Sequence, residues 1–301
     1  MKTSRASTRG TRGPVVGIIG GTGLQAIEGM TGIDRQRIDT PFGRPSDTVV
    51  CGTLDGVRVA FVSRHGPGHR ISPSQLNFRA NIFALKVLGV EWLISVSSVG
   101  SLREEIPPGM IVLPEQFFDR TAGRPSSFFD DGVVAHVSFA DPTCQALGKV
   151  LYGAAQSQGL PVRRGGTYLC MEGPQFSTRA ESHVYRQWGM DIIGMTNLPE
   201  AKLAREAEMC FATLALVTDY DCWRVSEPEV NIGTVQDVMR RNLANAIAVI
   251  RTALPSLRPP RRCPCANALA ASIVTDPAAI PPATRHTLAP LLGRYVPGGE
   301  L

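Results

Sequence analysis

Residues 210–217 are almost unbroken apolar sequence, a pattern that reads as a strand buried in a sheet, and they run straight into Thr218-Asp219-Tyr220-Asp221-Cys222-Trp223. Two carboxylates one residue apart therefore emerge where that strand ends, which is where open α/β sheets build their sites. With a side-chain period of two along extended backbone, Asp219 and Asp221 are expected to share one side while Tyr220 faces the other. Two acids converging on one small ligand match a nitrogen-rich partner. Taken alone, the same pair can simply cap the following turn.

The rest of the chain reads as alternating strands and helices. Residues 14–19 form a short apolar strand that enters Gly20-Gly21-Thr22-Gly23. A glycine-rich turn in that position lets backbone amides approach an anion. No Gly-Lys-Ser/Thr follows, and the acid of a dinucleotide fingerprint is missing downstream, so neither a P-loop nor a dehydrogenase site is indicated. A strand at 57–62 ends in Ser63-Arg64-His65-Gly66, and a helix at 77–88 stops at Gly89. A strand at 92–96 leads to Ser97-Ser98-Val99-Gly100, and another follows at 110–113. Residues 119–141 are loop-rich, a length that usually carries function. Helices at 143–158, 177–188, 200–208 and 235–254 and strands at 167–171, 191–193 and 210–217 complete an α/β alternation.

At 301 residues with 43% apolar content, the chain suits one large α/β domain over residues 14–301, closed by a C-terminal helical segment. Residues 1–13, with Lys2, Arg5, Arg9 and Arg12, read as a disordered basic tail. The net charge of +5 is dispersed, which fits an anionic small molecule and does not point to nucleic acid. No signal-like stretch and no run of 18 apolar residues occurs, so no membrane association is expected.

Seven cysteines, an odd number in a long chain, suit a reducing, cytoplasmic compartment. Cys51, Cys144, Cys170 and Cys210 read as core residues. Cys263 and Cys265 form a C-x-C between Arg262 and Ala266, for which a redox role, a local disulfide or an inert pair all remain open. None of the five histidines lies near enough in sequence to complete a zinc pattern, so no metal is expected.

Four expected strand ends thus carry polar groups: Thr22; Arg64 with His65; Ser97 with Ser98; and Asp219 with Asp221. The first three suit an oxyanion, Arg64 by offering a planar fork of donors. The fourth suits an aminopurine, one carboxyl donating to N7 and one carboxylate accepting from the exocyclic amine. Seen singly, Arg64 would be a surface ion pair and His65 a capping or core histidine; their convergence is what favours a site.

Several motifs carry a family resemblance. They are Gly20-Gly21-Thr22-Gly23-Leu24, Thr40-Pro41-Phe42-Gly43, Arg64-His65-Gly66, Gly100-Ser101-Leu102-Arg103-Glu104-Glu105, Glu172-Gly173-Pro174, Phe176-Ser177 and residues 218–223. Together they resemble the trimeric purine nucleoside phosphorylase superfamily, and within it the 5′-methylthioadenosine phosphorylase branch, over residues 15–283. The resemblance implies a single α/β domain with a central mixed β-sheet flanked by helices, a homotrimer with shared sites, and phosphorolysis of S-methyl-5′-thioadenosine with inorganic phosphate as co-substrate and no cofactor. It further implies phosphate contacts from Thr22, Arg64, His65, Ser97, Ser98 and Thr196, and a ribose contact from Met195. Phe176, Ser177, Val99 and Gly100 fall around the purine, Asp219 as general acid beside Asp221 as acceptor. His136, Ile232 and Val235 fall around the 5′ substituent, part of which comes from a neighbouring subunit. Gln236 departs from the apolar residue common there. A 6-oxopurine phosphorylase of the same fold, in which an amide commonly replaces the first acid, is the nearest alternative; a nonenzymatic nucleotide-binding module is the more distant one.

Overall fold

The computed structural model describes residues 15–21, 28–224 and 232–296; the side chains at 15, 232–237 and 239 lie outside the description, as does the basic tail. The N-terminal half contains β1 (Val15–Gly20), β2 (Thr31–Gln36), β3 (Val49–Leu54), β4 (Val57–Ser63), α1 (Phe78–Val87), β5 (Val90–Ser101), β6 (Ile111–Leu113) and β7 (Gln116–Arg120). It continues through α2 (Gln145–Ser157), β8 (Val162–Arg164), β9 (Thr167–Met171), α3 (Arg179–Gln187), β10 (Ile192–Gly194), α4 (Asn197–Glu206) and β11 (Cys210–Asp219). The long α5 (Ile232–Ala253) and the short α6 (Pro282–Thr287) and α7 (Ala289–Leu292) close it.

The strands join in one mixed sheet, with β1 parallel to β4 and β5, β5 parallel to β11, and β3 antiparallel to both β2 and β4. Its central strands are apolar on both faces because both faces are covered. Successive residues go to opposite layers: Ile19, Leu93 and Phe211 pack with α1, α4 and α7, whereas Ile18, Ile94 and Leu214 pack with α2 and α5. Each such side chain, fully buried, contributes roughly 1.5–3 kcal/mol.

The expected helices form close to their expected bounds. Asn77 caps α1 by accepting from the Ala80 N–H, and Thr178 with Glu181 makes a reciprocal capping box on α3. Residue 198 is non-helical inside α4, so its regular part starts near the expected residue 200. The sequence did not reveal β2, β3, β7 and β8. Strands β2 and β7 are short and largely exposed, without an alternating pattern. One consequence is a correction: Asp119 and Arg120, expected in the long loop, belong to β7.

One feature of β5 shapes the molecule. Its pairing with β1 ends at Ile19 opposite Ser95, and on that same edge β10 joins only at Ile193 opposite Gly100. Residues 96–99 are held by β11 on the other edge. The gap is bridged by Arg64, which follows β4 and is 2% exposed, paired with the wholly buried Glu200 of α4. The guanidinium meets Glu200 through Nε (2.9 Å) and Nη2 (3.0 Å), and donates to the carbonyls of Val96 (3.1 Å) and Ile19 (3.3 Å). The Ser95 hydroxyl donates to Glu200 at 2.7 Å, while Asn197 donates to that hydroxyl. Removing one partner of such a pair strands a buried charge. Glu200→Ala is therefore expected to lower unfolding free energy by about 3–5 kcal/mol, read from the denaturant midpoint; a midpoint equal to that of the parent protein would show that the pair does not hold the gap together.

Candidate active site

A cavity of about 540 Å³ opens at this gap in the sheet. Its floor is Val96–Gly100 on β5; the segment 194–196 at the end of β10, with Met171 and Phe176, forms one wall, and Thr218, Asp219 and Asp221 form another. Of the residues singled out from sequence, Arg64, His65, Ser97, Ser98, Val99, Gly100, Phe176, Met195, Thr196, Asp219 and Asp221 line it. Ser177 stands behind the wall, its hydroxyl 3.6 Å from the Met171 sulfur. Thr22 lies outside the described residues, next to Gly21, which lines the cavity. Ile232 and Val235 sit in the first turns of α5, but their side chains are outside the description. His136 is not brought to the cavity of its own chain: it is exposed, with its N–H donating to the Ser272 carbonyl at 2.8 Å.

One pole of the cavity is a hydroxyl cluster. Ser97 Oγ lies 3.3 Å from the Thr196 hydroxyl and 3.2 Å from that of Tyr168, whose fully buried phenol is pushed up by desolvation and stays protonated. Gly194 makes room for that phenol, since a Cβ there would sit 1.9 Å from the Tyr168 oxygen. His65 is pushed down to about 4 by burial and is neutral near pH 7. Its Nδ1 faces the Ile71 carbonyl at 2.8 Å, so Nδ1 carries the hydrogen and Nε2 is an acceptor. His69 stacks on it with ring centroids 4.2 Å apart. The fork of Arg64, expected to face an anion, faces Glu200 instead; among the described residues one Nη1 hydrogen remains outside the contacts of the guanidinium.

The other pole is the carboxyl pair, and its geometry corrects the simple period-of-two expectation. Pairing of β11 with β5 slips between Val217 and Asp219, leaving Thr218 as an extra residue. The chain then turns into a 3-10 segment (Asp221–Trp223) with Asp221 at φ +51°. Bulge and turn together, rather than extended alternation, bring both carboxyls to the cavity. Asp219 accepts from the Thr218 hydroxyl at 2.6 Å and from the Asp221 N–H at 2.8 Å. Asp221 accepts from Ser182 of α3. Burial pushes the Asp221 carboxyl up to about 6, with the Asp219 charge adding to the rise and the Ser182 hydroxyl opposing it. The turn is secured by Trp223, whose indole N–H donates to the Ser101 carbonyl at 2.8 Å beneath the Arg186 guanidinium.

Several contributors escaped the sequence reading. Glu200, Tyr168 and Ser182 act through partners distant in sequence, so no spacing exposes them. Arg124, in the loop after β7, donates to Glu172 and to the carbonyls of Met195 (2.7 Å) and Leu198 (2.8 Å), fixing the wall segment. Arg240 of α5 adds a cation to the cavity lining. Among the described residues the one potential metal-ligand group is a set of four cysteines outside the cavity.

Comparison with known proteins places this geometry. The family model described as the phosphorylase superfamily matches residues 15–255. The S-methyl-5′-thioadenosine phosphorylase of Geobacter sulfurreducens is 54% identical over 94% of this chain and 99% of its own length, and that of Koribacter versatilis is 52% identical over 93% and 96%. A methylthioadenosine phosphorylase crystal structure from an Antarctic soil metagenomic library superposes with a TM-score of 0.89 at 47% identity, covering 94% of this chain and 100% of that one. A Schistosoma mansoni methylthioadenosine phosphorylase in complex with adenine gives 0.77 at 35% identity, covering 81% and 92%. With residues 15–255 matched by the family model and relatives about half identical over nearly its whole length, the chain belongs to the phosphorylase superfamily.

Proposed function

We propose that this chain is a pentosyltransferase that cleaves S-methyl-5′-thioadenosine with phosphate, giving adenine and 5-methylthioribose 1-phosphate for purine and methionine salvage. The observation that carries the reading is one cavity with a carboxyl pair at one pole and a hydroxyl cluster beside Arg64 and His65 at the other. The relatives named S-methyl-5′-thioadenosine phosphorylase, about half identical over nearly the full chain, point to the same nucleoside.

In the reaction, a phosphate oxygen bonds to C1′ as the C1′–N9 bond breaks, and the bond's electrons pass to the purine. Phosphate held by Ser97, Thr196, the Ser98 main chain, the remaining Arg64 N–H and Thr22 faces the developing sugar cation and stabilises it. An Nε2 acceptor on His65 suits the hydroxyl of monohydrogen phosphate. At the other pole, a proton passes to N7 from the carboxyl pair. The sequence suggested Asp219 as its holder; what supports Asp221 is that both Asp219 oxygens accept hydrogen bonds, whereas the Asp221 carboxyl is pushed up to about 6. Because the two acids interact, the proton belongs to the pair. Phosphate serves as co-substrate, and neither metal nor organic cofactor takes a step.

The active form is a homotrimer in which a neighbour completes the 5′ pocket. Supporting this, Phe118, Val184, Trp188 and Phe176 are exposed, with Phe118 and Trp188 in ring contact at 5.6 Å, and His136 stands outside its own cavity. Seven free cysteines suit the cytoplasm.

The purified protein should release adenine from methylthioadenosine only when phosphate is present; equal release without phosphate would refute phosphorolysis, and preference for inosine would favour a 6-oxopurine enzyme. Asp219→Asn and Asp221→Asn should each reduce turnover of methylthioadenosine by about a hundredfold to ten-thousandfold, with Asp219→Asn sparing 6-oxopurine nucleosides because an amide can donate to O6.

The raised Asp221 carboxyl also sets a pH dependence. A folded value above the unfolded one means that Asp221 stabilises the fold at acid pH and loses that contribution as pH rises through about 6. The melting temperature of Asp221→Asn relative to the parent protein should therefore improve between pH 4 and about 6 and level off above it; a difference independent of pH would mean that the carboxyl is not held protonated.

His136→Ala should raise KM for methylthioadenosine while leaving the phosphate dependence unchanged. Light scattering should report three chains per particle, and a fully active monomer would exclude the shared site.

A further inference from the structure

Four of the seven cysteines meet at one place. Cys144 is the N-cap of α2, Cys210 is the first residue of β11, and Cys263 and Cys265 flank Pro264 where the C-terminal segment turns. Their sulfurs all lie within 4.8 Å of one another, with Cys210 and Cys263 3.3 Å apart. A tetrahedral zinc with Zn–S bonds of about 2.3 Å requires S···S edges of about 3.8 Å, so the four thiols already outline its coordination sphere. Cys144, Cys210 and Cys265 are at most 6% exposed and Cys263 is half-buried.

The surroundings also suit bound thiolates. The Leu147 N–H at the start of α2 points at the Cys144 sulfur (3.5 Å), placing it at the positive end of a helix. The guanidinium of Arg261 reaches to 3.9 Å from the Cys210 sulfur while anchored to Glu91 (3.0 Å) and the Glu208 carbonyl (2.7 Å). A tetrathiolate zinc centre carries net negative charge, and an N–H donor with a fixed cation is the outer shell that offsets it. An all-sulfur donor set selects a soft, thiophilic ion over magnesium or calcium. Sequence gave no such signal because the C-x-C is completed by single cysteines from two other elements.

We propose that Cys144, Cys210, Cys263 and Cys265 form a closed structural site for one zinc ion that fastens the C-terminal segment to the sheet. Four protein ligands leave no position for substrate. Cys210 and Asp219 occupy opposite ends of β11, about 30 Å apart at the strand rise of roughly 3.3 Å per residue, so the ion takes no part in the pentosyl transfer. Its binding free energy goes into the fold instead.

The test uses the full chain purified without chelator. Elemental analysis and native mass spectrometry should find one zinc per chain retained through dialysis, and cobalt exchange should produce the intense thiolate-to-metal charge-transfer bands of a tetrahedral sulfur site. Cys263→Ser, the least buried ligand, should weaken zinc retention by at least about tenfold, whereas Cys51→Ser should leave it unchanged. Should Cys263→Ser fail to fold, zinc content and the cobalt spectrum of the unmutated protein decide alone. Absence of bound zinc, with the four cysteines found either as free alkylatable thiols or as disulfides by peptide mapping, would overturn the proposal. None of these measurements depends on which nucleoside the enzyme cleaves.

Discussion

The buried pair of Arg64 and Glu200 makes a divided sheet possible. Strand β5 leaves β1 after Ser95 and takes up β10 only at Gly100, and a gap in a buried sheet edge would normally leave main-chain carbonyls without donors. Arg64 supplies them, and Glu200 balances the charge that Arg64 brings inside. Neither residue is tolerable alone at this depth. The cavity is thus a consequence of an electrostatic arrangement: the sheet can open because an arginine closes the hydrogen-bond account of its edges.

The acid pair at the far pole follows a related logic. A bulge at Thr218 and a left-handed Asp221 aim two carboxyls into one space, and burial keeps them from both being charged at little cost. Ser182 of α3, donating to Asp221, and Trp223 within the turn, donating to the Ser101 carbonyl, hold it in place. Different local environments set two chemically identical side chains apart: Asp219 accepts from two donors, while burial raises the Asp221 carboxyl.

Much of this was legible in the sequence, for identifiable reasons. The central strands and long helices announce themselves because they are buried on both faces or along one stripe, so composition and period track burial directly. The convergence of Arg64, Ser97, Asp219 and Asp221 was legible because α/β sheets place sites at strand ends. What stayed hidden depends on contacts between distant residues: the partner of Arg64, the protonation geometry of His65, the turn that replaces the expected alternation at Asp221, and the meeting of four cysteines. The exposed edge strand β2 was hidden for another reason, since without a buried face its sequence is under no periodic constraint.

The half-open edge of β5 has an evolutionary consequence. The Val96 carbonyl faces the gap, and Ser98, two residues further along the strand, turns its own main-chain groups toward the same side. A peptide N–H is identical whichever residue supplies it. In the proposed phosphorolysis, replacement of side chains along the opposite wall would therefore retune which sugar or base is accepted without dismantling the main-chain end that meets phosphate, leaving this scaffold room to diversify its substrates while inheriting one way of handling their common co-reactant.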